Sequence, residues 1–241
     1  MRLFIVLLLG LAASCGSSAP GPVDDPDLRI LFIGNSLTLA NDLPALVQHL
    51  GRRDPSRSVV VRAVAFGNYS LEDHWNRGDA QRAIERARWD FVVLQQGPSA
   101  RLESRALLVE YATRFAGEIR RVGARPAIYM VWPPLEREPE WDEVTASHAA
   151  AAAAVGGLLL PGGEAIRAAR TADPGIALFT SDGFHPALAG SYAVALVIYA
   201  QAAGVTPLGL TLRAGGIELL PAHIATLEAA ASATISRYGG R

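Results

Sequence analysis

Beyond residue 27 the chain alternates short apolar or β-branched runs with longer stretches in which apolar residues recur every three or four positions. The short runs, at 29–33, 58–65, 91–95, 127–132 and 157–160, predict strands. The longer stretches, at 43–53, 79–88, 104–122, 140–155, 164–172, 188–203 and 221–238, predict helices. Regular alternation of this kind predicts one α/β domain over 28–241 with a mostly parallel sheet of about five strands. The alanine run Ala149 to Ala154 has charged, helix-compatible flanks and reads as a tightly packed helix, because alanine is the best helix former. The apolar stretch 188–203 is interrupted by Ser191, Tyr192 and Gln201 and is too short to span a bilayer, so a buried helix is expected there.

The first 27 residues follow a different pattern. One arginine, an apolar run from Leu3 to Leu11 and then small residues form an export signal. The small residues lead into Cys15, and "LAASC" resembles the lipobox of bacterial lipoproteins. That resemblance implies a signal peptide over 1–14, lipidation of Cys15, and a tether over 15–27 that joins the domain to a membrane of the cell envelope. Gly16 and Ser17 after the cysteine favour the outer membrane by the same resemblance, with the domain facing periplasm or exterior.

Composition narrows the remaining classes. With 241 residues, 50% of them hydrophobic, and a single cysteine, the domain relies on core burial and has no disulfide. A formal net charge of −1 gives no electrostatic case for nucleic acid. No His-Glu-x-x-His, cysteine cluster or carboxylate array suggests a metal, and no Gly-x-Gly-x-x-Gly a dinucleotide, so no cofactor is expected. Nothing in the pattern fixes an oligomeric state.

Chemistry is expected where strands end, since the carboxyl edge of a parallel sheet is where loops converge around helix N-termini. The first such edge is "LFIGNSLT". A serine between a strand and a helix caps the helix at least as often as it attacks a substrate, so Ser36 alone decides nothing. A nucleophilic serine needs a base that is itself oriented. Of the five histidines, His49 and His148 fall inside helical stretches and His223 opens the last one. His185 stands in "SDGFHPALAG" with Asp182 three residues earlier, a spacing that can bring a carboxylate to Nδ1 and leave Nε2 for a serine.

"IGNSLT" and "SDGFHP", in that order and at that separation, resemble the serine and histidine blocks of the SGNH hydrolase superfamily, also called GDSL esterases and lipases. The resemblance implies a three-layer α/β/α sandwich of flavodoxin type and a triad of Ser36, Asp182 and His185. It further implies an oxyanion hole made by the N–H groups of Ser36 and of Gly67, in "AFGNYSLEDHW". The third block should read Gly-x-Asn-Asp, but the chain has "DFVVLQQGPSA". Gln95 or Gln96 is the amide placed to substitute; "LQ" closing the strand favours Gln95. His74 and Trp75, and the run Trp132-Pro133-Pro134, are either packing or pocket lining.

The activity so implied is hydrolysis of carboxylic esters through an acyl-enzyme. Short acyl esters of carbohydrate, acetyl above all, are the leading substrate class. The same triad could serve an O-acyltransferase, and a binding lipoprotein that keeps the fold without the chemistry is the rival outside enzymes.

Overall fold

A computed structural model describes residues 28–52, 58–210 and 217–239. The segments read above as signal peptide, lipidated Cys15 and tether lie outside the described residues. Five strands form one parallel sheet: β1 (Leu28–Gly34), β2 (Val59–Ala65), β3 (Phe91–Leu94), β4 (Arg125–Tyr129) and β5 (Leu158–Leu160), in the order β2-β1-β3-β4-β5.

Both faces of the sheet are covered, which is why β1 reads as a continuous apolar run and not as an alternating one. Ile30 and Phe32 point to one side, toward α2 (Leu43–Gly51), α7 (Gly162–Ala172), α8 (Leu188–Ala203) and α9 (Pro221–Tyr238). Leu31 and Ile33 point to the other, toward α3 (Leu71–Arg77), α4 (Asp79–Glu85) and α5 (Leu102–Arg121). Alternate side chains of one strand thus feed two cores, the signature of three layers. Helix α6 (Trp141–Ala154) contributes to both, Trp141 to the first core and Ala151 and Ala152 to the second, so the alanine run is a packed helix as its composition suggested. Helix α8 is buried on nearly every side, and no helix among the described residues is long and apolar enough to cross a membrane.

Three departures from the sequence-based boundaries matter for the site. A helix of four residues, α1 (Ser36–Leu39), follows β1 directly, too short to leave a periodic trace. Strand β4 ends at Tyr129, so Met130 to Trp132 already belong to a loop at the carboxyl edge. Ser70 and Asp73 make a reciprocal capping box that starts α3. The order of strands reverses direction at β1 and β3, so the loops after them leave toward opposite faces and open a crevice between them.

Candidate active site

The turn after β1 is held by amides. Asn35 caps α1, its side-chain oxygen accepting the Leu37 N–H at 3.1 Å, so Ser36 is the first helical residue and not the cap. Asn35 also donates from Nδ2 to the Tyr69 carbonyl at 3.0 Å, which joins the turn to the loop after β2. From the adjacent strand end Gln95 closes the arrangement. Its Oε1 accepts the Asn35 N–H and the Thr38 hydroxyl, both at 2.8 Å, while its Nε2 donates to Asn35 Oδ1 and to the Gln96 carbonyl, both at 2.9 Å. Only glycine fits at position 34, where an added Cβ would lie 2.3 Å from the Thr38 hydroxyl and 2.5 Å from Gln95 Oε1. Behind the turn, buried His74 donates from Nε2 to the Gly34 carbonyl at 2.8 Å.

His185 arrives from the loop before α8. The Ser36 hydroxyl donates to His185 Nε2 at 2.9 Å, and His185 Nδ1–H donates to Asp182 Oδ2 at 2.6 Å. The other oxygen of Asp182 accepts the Phe184 and His185 N–H groups at 2.9 Å and the Thr180 hydroxyl at 2.8 Å. The hydrogen bond from His185, then those from Phe184, Thr180 and the His185 backbone, hold the Asp182 carboxyl well below the usual carboxylate range. A carboxylate kept ionised beside Nδ1 fixes the tautomer that leaves Nε2 as the acceptor facing Ser36. The side chains of His185 and Asp182 are 39% and 49% exposed, so this line of groups opens to solvent and to a substrate.

Two further bonds set where the histidine loop sits. The Trp132 indole donates to the Phe184 carbonyl at 2.9 Å, and the Leu135 N–H donates to the Gly183 carbonyl at 2.9 Å. Trp132 is fully buried, so its contribution is packing plus this one hydrogen bond and not pocket lining. His74 and Trp75 are likewise packing: His74 lies against Phe66 and Tyr69, and Trp75 edge-on to Phe115.

Ser36 and Gly67 both lie just past the ends of neighbouring strands. Gly34 pairs with Ala65 in the β1–β2 register, so each of the two residues lies two positions past that pair. Among the described residues neither N–H donates to a protein acceptor. The two glutamines are not equivalent. Both hydrogens of the Gln95 amide are engaged, by Asn35 Oδ1 and the Gln96 carbonyl, and the residue is buried, whereas Gln96 lines the cleft that contains Ser36. Gln96 Oε1 accepts the Leu71 N–H at 3.0 Å and its Nε2 donates one bond, to Ser99 Oγ at 3.1 Å, which leaves its second amide hydrogen available. Neither Gln95 as a turn brace nor the role of Trp132 carried a sequence signal, since each acts through a partner more than 50 positions away in the chain.

The cleft has a volume of about 610 Å³, within the ~300–1,000 Å³ usual for small-molecule sites. It runs from Ser36 along the loop after β2 to the start of α5, with Tyr69 and Phe184 among its walls.

No family model matches the chain, and no curated protein does. Solved structures do. A protein of Slackia heliotrinireducens described as an SGNH hydrolase is 31% identical, with a TM-score of 0.59, over 71% of this chain and 97% of that one. A DUF4886 family protein from Bacteroides uniformis is 20% identical, with a TM-score of 0.71, over 87% of this chain and 95% of that one. A catalytic mutant of an acetylxylan esterase from Geobacillus stearothermophilus is 14% identical, with a TM-score of 0.55, over 76% and 96%. The last two are likenesses of fold.

Proposed function

The chain belongs to the SGNH hydrolase superfamily, and from that premise we propose that it hydrolyses carboxylic esters by nucleophilic attack of Ser36. The observation that carries this reading is the unbroken line Asp182–His185–Ser36, with bonds of 2.6 and 2.9 Å. His185 Nε2 takes the hydroxyl proton as Ser36 Oγ bonds to the ester carbonyl carbon, and the imidazolium so formed is stabilised by Asp182. The carbonyl oxygen becomes an oxyanion, for which the Ser36 and Gly67 N–H groups and the spare hydrogen of the Gln96 amide are the donors. The tetrahedral species collapses as His185 protonates the leaving alcohol. Water, deprotonated by the same imidazole, then releases the acid from Ser36.

Carbohydrate as the alcohol is supported by the cleft wall, where Asn68 offers an amide and Tyr69 and Phe184 offer ring faces. An acetyl or similarly short acyl group is the proposed acid. The protein is proposed to work in the cell envelope, held there by lipid on Cys15.

A panel of p-nitrophenyl esters of increasing chain length and acetylated sugars, run on wild type and Ser36→Ala, tests catalysis and substrate together. We expect short esters to be hydrolysed by wild type and kcat to fall by at least about 10³-fold in Ser36→Ala. A folded wild type that neither turns over any ester nor reacts with a fluorophosphonate would end the esterase reading. The anchor is tested separately: Cys15→Ser should move the protein out of the membrane fraction, and unchanged partitioning would refute lipidation.

A further inference from the structure

The cleft beside Ser36 carries a charge bias that ester hydrolysis does not require. Two arginines line it, Arg101 and Arg137, and no aspartate or glutamate does. Arg101 stands just ahead of α5, on the connection that leaves β3. It makes no ion pair among the described residues. Arg137 belongs to the short helical segment Leu135–Glu140, whose first residue is tied to the histidine loop through Gly183. The single carboxylate near its guanidinium is Glu140, at 3.4 Å and outside the cleft wall, a separation beyond a good charged hydrogen bond. Elsewhere on the surface the arginines behave differently: Arg77, Arg82, Arg114, Arg167 and Arg170 each hold a carboxylate close by. The two that line the cleft beside Ser36 thus keep donor capacity toward a ligand there.

We propose that Arg101 and Arg137 select substrates whose alcohol portion is an anionic sugar, the guanidinium groups binding its acidic group while the ester lies at Ser36. The proposal rests on the esterase reading of Ser36. Guanidinium forks match planar carboxylates and phosphates alike, and in a partly open cleft they add affinity and orientation that fall with salt. A carboxylate as substrate group is compatible with Asp182, because that carboxylate already accepts four hydrogen bonds and is not among the cleft-lining residues.

The test uses one scaffold with three substituents: a monoacetylated methyl glucoside bearing a 6-hydroxyl, a 6-carboxylate or a 6-phosphate. At low ionic strength the ratio of kcat/KM for an anionic over the neutral ester should be about tenfold or more, residing mainly in KM and shrinking in 0.5 M salt. In the double variant Arg101→Gln, Arg137→Gln the ratio should fall to near one. The ratio cancels any general loss of activity in the variant. Whichever anion is favoured identifies the acidic group. A wild-type ratio of one or less, or a ratio that survives in the double variant, overturns the proposal. Hydrolysis of p-nitrophenyl acetate that is lost in Ser36→Ala reports the esterase reading independently. Should wild type hydrolyse no ester, calorimetric titration with methyl glucuronide against methyl glucoside still decides, since equal or absent binding of the two refutes anion selection.

Discussion

At the scale of single residues, the proposed nucleophile, Ser36, depends on a side chain outside the cleft wall. Gln95 lies one position past the Ile33–Leu94 pair of the β1–β3 register and spends three of its four amide hydrogen bonds on the turn that presents Ser36, the fourth going to the Gln96 carbonyl. Gln95→Met keeps the volume but strands the Asn35 N–H and the Thr38 hydroxyl in a buried place, at about 1–3 kcal/mol for each group left unsatisfied. Thermal denaturation should show Tm lower by roughly 4–8 °C for a net loss of about 2 kcal/mol, with kcat down at least about tenfold through the displaced hydroxyl. Gln96→Ala should differ from it, since it strands a single buried donor, the Leu71 N–H. As the loss of an oxyanion donor it should lower kcat by about 10²-fold while Tm moves less. If instead Gln95→Met lowers Tm and leaves kcat intact, Gln95 is core packing and not a brace. The Asp182–His185 pairing was legible as a local spacing, whereas its link to Ser36, 149 positions away, was suggested only by the resemblance to the family's serine and histidine blocks. Which glutamine does which task could not be read, since adjacent residues at a strand end face opposite ways and the choice is made by partners about 60 positions away, the Asn35–Gln95 separation.

At the scale of elements, the question is what keeps the serine helix and the histidine loop in register. The short helical turn after α1 contains Asn41 and Asp42, both in the left-handed region at φ 52° and 50°. Asn41 uses that conformation to send both hydrogens of Nδ2 across the site, to the Pro186 carbonyl and to Ser191 Oγ, each at 2.9 Å. The nucleophile's element is thereby tied to the residue that follows His185, and Ser191 returns a hydrogen bond to the Ala40 carbonyl at 3.3 Å. Asn41→Ala loses the tie and adds the strain of a left-handed non-glycine; Asn41→Gly loses the tie alone. Both should therefore lose activity, by about tenfold or more in kcat, whereas only Asn41→Ala should pay the added conformational cost in Tm. Full activity in Asn41→Gly would show that the strain and not the tether matters. Long strands and helices were legible because their periods repeat. Helix α1, the turn at Asn41 and the early end of β4 were not, since a few residues shaped by tertiary hydrogen bonds leave no period to read.

At the scale of the whole molecule, a histidine that the mechanism does not use should govern stability in mild acid. His148 lies wholly inside α6, donates from Nδ1 to the Val144 carbonyl at 2.8 Å, and has no partner for Nε2. Burial, only partly offset by that hydrogen bond, pushes its pKa down to about 4. The unfolded chain protonates this side chain from its ordinary value near 6.5 downward, so between about pH 6.5 and 4 the unfolded state binds a proton that the folded state refuses. Stability is therefore fully present above pH 6.5 and drains away as pH falls toward 4, by something of order 3 kcal/mol. For a chain of this length that corresponds to roughly 6–12 °C in Tm. Buried His74 is depressed in the same direction, also chiefly by burial, so its contribution too is lost as pH falls below the ordinary histidine value. Asp182 acts elsewhere: its lowered pKa stabilises the fold above the ordinary carboxylate value of 3.8 and is forfeited only below it. Thermal denaturation at intervals from pH 7.5 to 4 should thus show a steep descent in wild type and a markedly shallower one in His148→Leu. Parallel curves for the two proteins would mean that His148 is protonated inside the fold without penalty, against the dry, unpartnered setting of its Nε2.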